Sequence, residues 1–428
     1  MKKTFLKILQ LKLKFFAKWI IRKYQPDIIG ITGSVGKTSA KEAIFAVLSS
    51  RFNTAKNLKN YNNEIGLPLS IIRAESGRKN IFSWFKIFLK ASKLIFSIDV
   101  NYPQFLVLEM GADKVGDISY LTSIAKPQIA VVTGLAPVHL EFFGTMEKLS
   151  EEKKQIIKHL KADEWLVYNK DYFQLEKFSQ ETNARVFTYG FSPEADLRAY
   201  DEKIIQKDGH WGISFRVSYK GNDVPFFLQD ILGKPQIYAI LAGMAVGLIY
   251  ELNLIEISNY IKNYKPAKSR LHVLPGIKNT TLIDDSYNSS PEACQVALQV
   301  LKEFPLNEGK RWAVLGDMLE LGSYTEEGHQ LVGREIADLK IDYLITVGEK
   351  AKDIKKGALE NGFPEDRVYS FGSTDEAGHF LQEQIKENDL ILLKGSQGAR
   401  IEKIVKEVMA EPNRATELVC RQDESWLK

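Results

Sequence analysis

The sequence is poor in the residues that build metal clusters and disulfide frameworks. Its 428 residues include two cysteines, Cys294 and Cys420, and six histidines. Two cysteines so far apart form neither a disulfide framework nor the spacing of a metal site, and six scattered histidines exclude a His-rich metal centre. We therefore expect a protein of the reducing cytoplasm.

Acidic residues are missing from the first 24 positions, which carry eight lysines and arginines. The whole chain has 58 basic and 54 acidic residues, so the remaining positions hold 50 against 54 and a net charge of −4. Nucleic-acid binding needs basic residues spread over the folded domain, so we expect no nucleic-acid partner. The length and ordinary apolar content predict two or three globular domains. We expect the protein to be a monomer.

No uninterrupted apolar run of membrane-spanning length occurs near the N-terminus, because lysines break residues 4–21 every few positions. Read as a helix, one face carries Leu6, Leu9, Leu13, Phe16 and Ile20, and another carries Lys3, Lys7, Lys14 and Lys18. This pattern is typical of a helix on an anionic membrane surface, and equally of a helix packed on its own domain or on a partner. No small-residue cleavage site follows, so a secretory signal is not expected.

A phosphate-binding loop is the first motif with clear chemistry. Residues 27–32 predict a short buried strand, residues 33–39 a glycine-containing turn, and the following residues a helix to about Leu48. The nucleotide-binding candidates are Gly33, Ser34, Val35, Gly36, Lys37, Thr38 and Ser39. Backbone N–H groups and the helix N-terminus would hold phosphate, Lys37 would reach the β- and γ-phosphates, and Thr38 would ligate Mg²⁺. Position 31 is Ile where the strict pattern has Gly, but the strand before and the helix after still predict a nucleoside triphosphate site.

The second half of the chain alternates apolar runs with helical patterns. Strands are predicted at 280–283, 312–315, 343–347 and 390–393, and helices at about 291–304, 325–338, 373–386 and 398–410. This alternation predicts a second α/β domain with a mainly parallel sheet, beginning after a polar, hinge-like segment at 265–270. A G-x-G-x-x-G fingerprint is absent, so no dinucleotide is indicated.

Further motifs follow the loop in a fixed order. They lie at residues 60–69 (NYNNEIGLPL), 108–112 (LEMGA), 139–144 (HLEFFG), 284–288 (DDSYN), 316–322 (GDMLELG) and 394–396 (KGS). Together with the loop they resemble the Mur ligases, the ATP-dependent amide ligases of peptidoglycan synthesis, and among them the enzymes that add D-alanyl-D-alanine to a muramoyl tripeptide. The match runs from about residue 27 to 410.

The resemblance implies an α/β protein of three parts. We expect a basic amphipathic helix over residues 1–25, a central P-loop ATPase domain with a mainly parallel sheet over 26–265, and a C-terminal Rossmann-like domain over 266–428. The implied partners are a muramoyl-peptide carboxylate and D-Ala-D-Ala, joined through an acyl phosphate. The implied location is the cytoplasm, with the inner face of the membrane as an alternative.

Metal ligands are expected where strands end. Glu109 ends an apolar run, which places its carboxylate well for Mg²⁺, although an ion-paired or capping role also fits. His139 alone would be read as a loop residue, and Lys153 alone as part of a solvated helix face. The resemblance implies that Glu109, His139 and a carbamylated Lys153 hold a second Mg²⁺, with neighbouring Lys154 as an alternative to Lys153. Lys37, Lys153 and His139 are thus the catalytic candidates.

Substrate contacts are implied residue by residue. Asn288 and Asp317 would face the base and ribose of ATP, and Arg270 its phosphates, although polar residues at strand ends are often turn formers. The substrate candidates are Asn60, Asn62, Asn63 and Glu64, with Lys394 and Ser396 facing the amine.

The chain also departs from the family pattern. The loop strand begins at Asp27, so we expect the usual uridine-diphosphate-binding N-terminal domain to be missing. Residues 233–236 read Gly-Lys-Pro-Gln where the family has Gly-x-His-Asn, and residues 81–96 mix lysines with apolar residues, as in a packed helix or a second membrane-facing segment. Alternative functions are a ligase acting on another carboxylate, of the folylpolyglutamate or cyanophycin type, or a non-catalytic, membrane-associated nucleotide-binding module.

Overall fold

The computed structural model describes residues 2–58, 61–78, 80–136, 143–261, 264, 266–423 and 426, with the backbone alone for residues 2–5. His139, Asn60 and Lys265 therefore lie outside the described residues. Two separate sheets, each covered by helices on both faces, organise the described chain.

The first sheet has nine strands in the described residues, in the order β2-β3-β1-β4-β5-β6-β7-β8-β9. Its strands are β1 Asp27–Thr32, β2 Thr54–Lys56, β3 Phe105–Glu109, β4 Ile129–Val132, β5 Trp165–Asn169, β6 Arg185–Gly190, β7 Leu197–Lys207, β8 His210–Tyr219 and β9 Asn222–Gln229. Pairing is parallel from β2 through β7 and antiparallel in the ribbon β7-β8-β9. The parallel part carries the nucleotide loop.

Nine helices accompany this sheet in the described residues. They are α1 Lys2–Tyr24, α2 Lys37–Leu48, α3 Gly66–Ile72, α4 Ile81–Phe96, α5 Asp117–Ile124, α6 Met146–Lys154, α7 Glu176–Gln180, α8 Lys234–Ile249 and α9 Leu254–Ile261. Alternate strand residues serve the two faces: Ile29 and Ile31 pack with α2, α8 and α9, whereas Ile28 packs with α1, α3 and α4. A strand buried on both faces reads as a continuous apolar run, which is why β1 was recognisable.

The second sheet has six strands in the described residues, in the order β10-β11-β15-β12-β13-β14. They are β10 His272–Pro275, β11 Thr281–Asp285, β12 Arg311–Gly316, β13 Tyr343–Val347, β14 Val368–Phe371 and β15 Leu390–Lys394. Only β10 runs antiparallel to its neighbour. The helices are α10 Pro291–Glu303, α11 Thr325–Asp338, α12 Lys352–Glu360, α13 Thr374–Gln384, α14 Glu402–Val408 and α15 Ala415–Leu418.

Short 3₁₀ turns complete the described structure, at Gln155–Ile157, Phe173–Leu175, Ile277–Asn279, Gly322–Tyr324, Glu365–Arg367, Gln397–Ala399 and Pro412–Arg414. The predicted α/β fold class with two sheets is confirmed. The domain limits at 25/26 and 265/266 stay predictions.

The apolar stripe predicted on the N-terminal helix packs on the chain itself. Leu9, Leu13 and Ile20 are buried, Phe16 is half-buried, and only Leu6 at the free end is exposed. Helix α4 likewise buries Trp84, Ile87, Ala91 and Leu94. The sequence left open whether these stripes contact a membrane or pack within the protein. In the structure, both stripes pack on the protein's own domain. No helix in the described part has the length and apolarity to cross a bilayer.

Candidate functional site

A cleft with a volume of about 1040 Å³ lies between the two sheets. Its first wall comes from the loop after β1, the end of β3 and the start of α8, and its second from the segments after β11, β12 and β15. Carboxyl ends of parallel strands from both sheets thus face one space, which is where open α/β sheets bind ligands.

The loop after β1 has the backbone of a phosphate cradle. Gly33 has φ +144°, and a side chain there would overlap Thr133; Gly36 has φ +80° and precedes the first turn of α2. Residues 34–39 all line the cleft. The hydroxyl of Ser34 is buried and has no hydrogen-bond partner in the described structure. A bound phosphate oxygen would satisfy this hydroxyl, so the loop fits a nucleotide's phosphates.

Lys37 is held at the loop without an acidic partner. Its Nζ donates to the carbonyl oxygens of Gly33 at 2.7 Å and Ser34 at 3.1 Å. Burial lowers the pKa of Lys37, an effect opposed by the charge of Glu109 and reinforced by that of Arg270. Within the described residues no carboxylate oxygen lies within 4 Å of this ammonium, which leaves its charge available to an anion in the cleft.

Three side chains of the first wall contact the carboxylate of Glu109. It is 3% exposed, and its carboxylate accepts from the Thr38 hydroxyl at 3.1 Å and the Asn62 amide at 3.0 Å. The ammonium of Lys41, 2% exposed, lies 3.5 Å from Glu109 Oε2. A hydroxyl and a carboxylate oxygen in contact are a donor set suited to Mg²⁺, and Lys41 sets the orientation of the carboxylate.

Lys153 and Lys154 point in different directions from α6. Lys153 is 2% exposed and lines the cleft, whereas Lys154 forms ion pairs with Glu151 at 2.6 Å and Glu181 at 2.7 Å on the outside. Burial, reinforced by the nearby Lys37 charge, lowers the pKa of Lys153 to about 7. The geometry therefore distinguishes the two lysines that the sequence left as alternatives.

Helix α6 is fixed by the residue before Lys153. The Glu152 carboxylate accepts from the backbone N–H groups of Gly116 and Ile118, both at 2.7 Å, at the first turn of α5. A buried carboxylate at a helix N-terminus is stabilised by free N–H groups and by the helix dipole. This contact holds Lys153 at its place in the cleft.

The Asn-rich segment lines the same wall. Asn62, Asn63 and Glu64 all reach the cleft, with Asn63 Oδ1 accepting from the N–H of Gly66 at the start of α3 and Glu64 pairing with Lys114 at 3.0 Å. Asn62 thus contacts Glu109, and Asn63 fixes the backbone of the loop that leads into α3. Asn60 and His139, predicted for the same wall, lie outside the described residues.

On the second wall, Lys394 and Ser396, which were predicted to face the amine, form hydrogen bonds with backbone atoms. Lys394, 1% exposed, pairs with Asp285 at 2.5 Å and donates to the Asn288 carbonyl at 2.9 Å. The Ser396 hydroxyl donates to the Ser289 carbonyl at 3.2 Å and accepts from the N–H of Leu319. Both line the cleft, where they fix the course of residues 288–289.

Of the three residues predicted to bind ATP in the second half of the chain, two line the cleft and one does not. Arg270 and Asn288 line the cleft, and the Arg270 guanidinium lies 4.2 Å from the centre of the Tyr287 ring. Asp317 is not among the lining residues of the described structure; its carboxylate accepts from the N–H of Ala351 at 2.8 Å. Gln236, from the unusual Gly-Lys-Pro-Gln segment, donates to the Arg270 carbonyl at 2.8 Å.

Sequence reasoning missed Lys41 and Glu152, and it identified Asp285 within the motif at 284–288 but not its ion pair with Lys394. Lys41 lies one helical turn after Lys37, so helix spacing could have placed it near the loop. Glu152 gave no comparable signal, and neither did the pairing of Asp285 with Lys394, because these contacts are fixed only by the way that elements pack.

Comparisons with known proteins cover both walls of the cleft. Residues 31–83 and 88–247 match the model of the Mur ligase middle domain, and residues 269–397 match that of the Mur ligase glutamate ligase domain. The UDP-N-acetylmuramoyl-tripeptide–D-alanyl-D-alanine ligase of Bacillus subtilis is 31% identical over 401 residues, which is 94% of this chain and 79% of that protein. The chain belongs to the Mur ligase family.

Other Mur ligases support this assignment. The Escherichia coli ligase of the same name is 28% identical over 390 residues, covering 91% of this chain and 78% of that one. Among solved structures, MurF from Thermotoga maritima in complex with ADP is 26% identical with a TM-score of 0.76, covering 93% of this chain and 83% of that chain. The family and fold predicted for this Mur ligase are confirmed.

One comparison bears on an alternative raised by the sequence. Folylpolyglutamate synthase from Mycobacterium tuberculosis has a TM-score of 0.62 at 15% identity, covering 94% of this Mur ligase and 95% of that chain. At that identity the likeness shows a shared fold and carries no statement about substrate.

Proposed function

We propose that this Mur ligase joins D-alanyl-D-alanine to the peptide carboxylate of a UDP-N-acetylmuramoyl tripeptide, with ATP converted to ADP and phosphate. The observation that carries the proposal is the match to the B. subtilis ligase of that name, which extends over both walls of the cleft. The polar lining of the cleft supports it chemically.

The reaction brings anions together before any bond forms. The substrate carboxylate attacks the γ-phosphorus of ATP, the bond to the β-phosphate oxygen breaks, and ADP leaves. The amine of the dipeptide then attacks the acyl carbon, phosphate departs, and the nitrogen loses a proton. Lys37 and the N–H groups of residues 33–38 would neutralise the meeting charges, because preorganised donors act most strongly where water is excluded.

Two magnesium ions would complete the site. Thr38 and Glu109 would hold one of them, and Glu109, His139 and Lys153 the other; bound Mg²⁺ would neutralise phosphate charge. A neutral lysine amine can add CO₂, forming an N–C bond and releasing a proton, and the carbamate is an oxygen ligand. A pKa near 7 gives Lys153 a large neutral fraction at physiological pH, which supports its carbamylation.

The remaining predicted residues would bind the substrates and ATP from both walls of the cleft. Asn60, Asn62, Asn63 and Glu64 would receive the tripeptide, and Arg270, Asn288 and Asp317 would receive ATP. Lys394 and Ser396 would act on the dipeptide side by holding residues 288–289, since both already bind that backbone. We place the reaction in the cytoplasm, where ATP is available and Cys294 and Cys420 stay reduced, and the enzyme would act as a monomer.

The test is ADP release over a matrix of acceptors and amines. The acceptors are UDP-N-acetylmuramoyl tripeptides with lysine or diaminopimelate as third residue, folate and an aspartate polymer; the amines are D-Ala-D-Ala, D-Ala, L-Glu and L-Arg. We expect turnover only with a muramoyl tripeptide and D-Ala-D-Ala together. Turnover on folate with glutamate would replace the proposal by the ligase alternative. ATP binding with no turnover on any pair would favour the non-catalytic module.

A further inference from the structure

Helices α1 and α4 are unusual in charge. They contain eight and three lysines or arginines respectively, and no acidic residue. For the nine of these whose side chains the structure describes, no carboxylate oxygen of a described residue lies within 4 Å. Several of the lysines make other contacts instead: Lys14 donates to the Ser123 hydroxyl at 2.7 Å, and Lys23 donates to carbonyl oxygens at the end of α4. Within the described residues, the positive charge of the two helices is therefore not matched by direct ion pairs.

Both helices also carry a second apolar stripe that faces solvent. On α1, Ile8, Leu11, Phe15 and Trp19 follow one another at 3/4 spacing and are 46–65% exposed. On α4 the corresponding residues are Phe82, Phe85, Leu89 and Phe96, 54–87% exposed. Of the 18 exposed large apolar side chains in the described chain, ten lie on these two helices. Large apolar residues are normally scattered on a surface, so this concentration marks an interaction site.

The two stripes belong to one surface. The rings of Phe16 and Phe88 lie 5.6 Å apart where the helices pack together, and Lys12 lies over Phe88 at 5.9 Å. A shallow apolar groove between the helices is lined by Leu11, Lys12, Phe15, Phe16 and Phe88. We call the exposed stripes of α1 and α4, together with their lysines, the basic-apolar face.

We propose that the basic-apolar face docks onto the surface of a bilayer containing anionic lipids. Aromatic and aliphatic side chains would enter the headgroup region, and the flanking lysines would meet lipid phosphates, which is how interfacial helices bind. A second copy of the chain is a poor occupant, because a two-fold interface would bring the same uncompensated positive charges together. Nucleic acid would match the lysines but leave the aliphatic members of the stripes, Ile8, Leu11 and Leu89, uncovered.

The face adjoins the cleft through one short helix. Helix α1 packs on α3, and α3 begins at Gly66, two residues after Glu64. Asn62, Asn63 and Glu64 line the first wall. Docking would thus hold the carboxylate-receiving side of the cleft near the bilayer surface. The docking proposal does not depend on which substrate the cleft accepts.

Vesicle flotation of the full chain tests the proposal. We expect binding to vesicles of phosphatidylglycerol with phosphatidylcholine, weak binding to phosphatidylcholine alone, and loss of binding in high salt because exposed charges are screened. The variant L11Q/F15Q/F85Q/L89Q should bind at least tenfold more weakly. The variant K7Q/K18Q/K86Q should lose roughly 100-fold on anionic vesicles, at about 1 kcal/mol for each lysine. The matched control F173Q/I255Q removes apolar side chains that are 74% and 69% exposed away from the face and should bind like the wild type.

Trp19 gives a local readout. Its fluorescence should shift to the blue on addition of anionic vesicles, and the shift should be smaller in Trp19→Phe. Equal partition of wild type and L11Q/F15Q/F85Q/L89Q, or equal binding to neutral and anionic vesicles, would overturn the proposal. So would a dimer in light scattering that the same variant converts to monomer while vesicles are not bound, since the occupant would then be a second copy. ATP binding should be unchanged in all of these variants, which shows that they fold.

Discussion

Lys153 and Lys394 are equally buried on opposite walls of one cleft, yet their surroundings differ. Lys153 forms no ion pair with any described residue, and burial lowers its pKa to about 7. Lys394 is matched by Asp285 at 2.5 Å and by the Asn288 carbonyl. A buried lysine without a partner is free to react or to meet a substrate anion, whereas a paired one fixes structure.

The same contrast holds for three more cleft residues. Within the described residues, Lys37 on the first wall donates only to loop carbonyls, and the hydroxyl of Ser34 has no partner. On the second wall, Ser396 is engaged on both sides by backbone. We infer that the first wall supplies the chemistry and that the second supplies a rigid surface against which substrates are placed.

Removing Lys37 should have the largest effect. Lys37→Ala takes away a preorganised cation from the phosphate loop, and we expect turnover to fall roughly 10³-fold. The measurement is ADP release at saturating substrates, with Lys352→Ala, which removes an exposed lysine far from the loop in sequence, as the matched control. Turnover within tenfold of the wild type would contradict a phosphate role for Lys37.

Lys394→Met should lower the free energy of unfolding. It leaves the Asp285 carboxylate buried and unpaired, which costs about 3–5 kcal/mol, and the double variant Asp285→Asn/Lys394→Met should regain most of that loss. Urea unfolding of both variants gives the comparison. By contrast, Lys153→Met should not lower the unfolding midpoint, because it removes a poorly solvated amine. If Lys394→Met lost turnover at an unchanged midpoint, Lys394 would act on substrate directly.

Much of the fold could be predicted because the parallel strands are buried on both faces. Strand β1 and strand β13 have the predicted bounds, and β11, β12 and β15 differ from prediction by one or two residues. The ribbon β7-β8-β9 escaped prediction because its strands are half-exposed and rich in polar residues. Helix α12 and edge strand β14 were missed as well; β14 has only four residues.

The site was predictable where a local motif carries the chemistry. The loop around Lys37 and the carboxylate at the end of β3 follow from short sequences. The Asp285–Lys394 pair joins residues 109 positions apart, and it exists because β11 and β15 are neighbours with these two residues in register. Strand order is set by the packing of the whole domain, so no local pattern could have revealed it.

Lys153→Met should lower turnover about 100-fold, whereas Lys154→Met should stay within threefold, because Lys154 pairs with Glu151 and Glu181 outside the cleft.

Wild-type turnover should also rise with pH through 7. With a pKa of about 7, roughly a tenth of the Lys153 amine is neutral at pH 6 and about nine-tenths at pH 8, and only the neutral amine adds CO₂. Labelled bicarbonate should give a carbamate carbon signal that Lys153→Met lacks. The same signal lost in Lys154→Met would reverse the assignment.

Lys41→Met should change the magnesium requirement. Lys41 lies 3.5 Å from Glu109 and 3.6 Å from Glu42, so its loss frees the Glu109 carboxylate to turn. We expect about a tenfold rise in the Mg²⁺ concentration for half-maximal turnover, as is usual when the partner of a metal ligand is removed. Lys56→Met is the matched control, because Lys56 also pairs with Glu42 but does not contact Glu109 in the described structure. An equal shift in both variants would assign the effect to Glu42.

Gln236→Leu should have the smallest effect and tests how firmly the two walls are connected. Its side-chain amide donates to the Arg270 carbonyl at 2.8 Å, at the point where the chain passes from the first wall to the second. Losing one such hydrogen bond costs about 1 kcal/mol, so we expect a small drop in unfolding midpoint and a rise in the KM for ATP of about fivefold. The control is Gln330→Leu, which removes an amide that donates to Glu326 on the same helix and should not change the KM for ATP. Because Gln236 acts on Arg270 only through the backbone, kcat should stay within twofold. A fall in kcat with an unchanged KM would mean that the position of Arg270 is needed for the transfer itself rather than for binding the nucleotide.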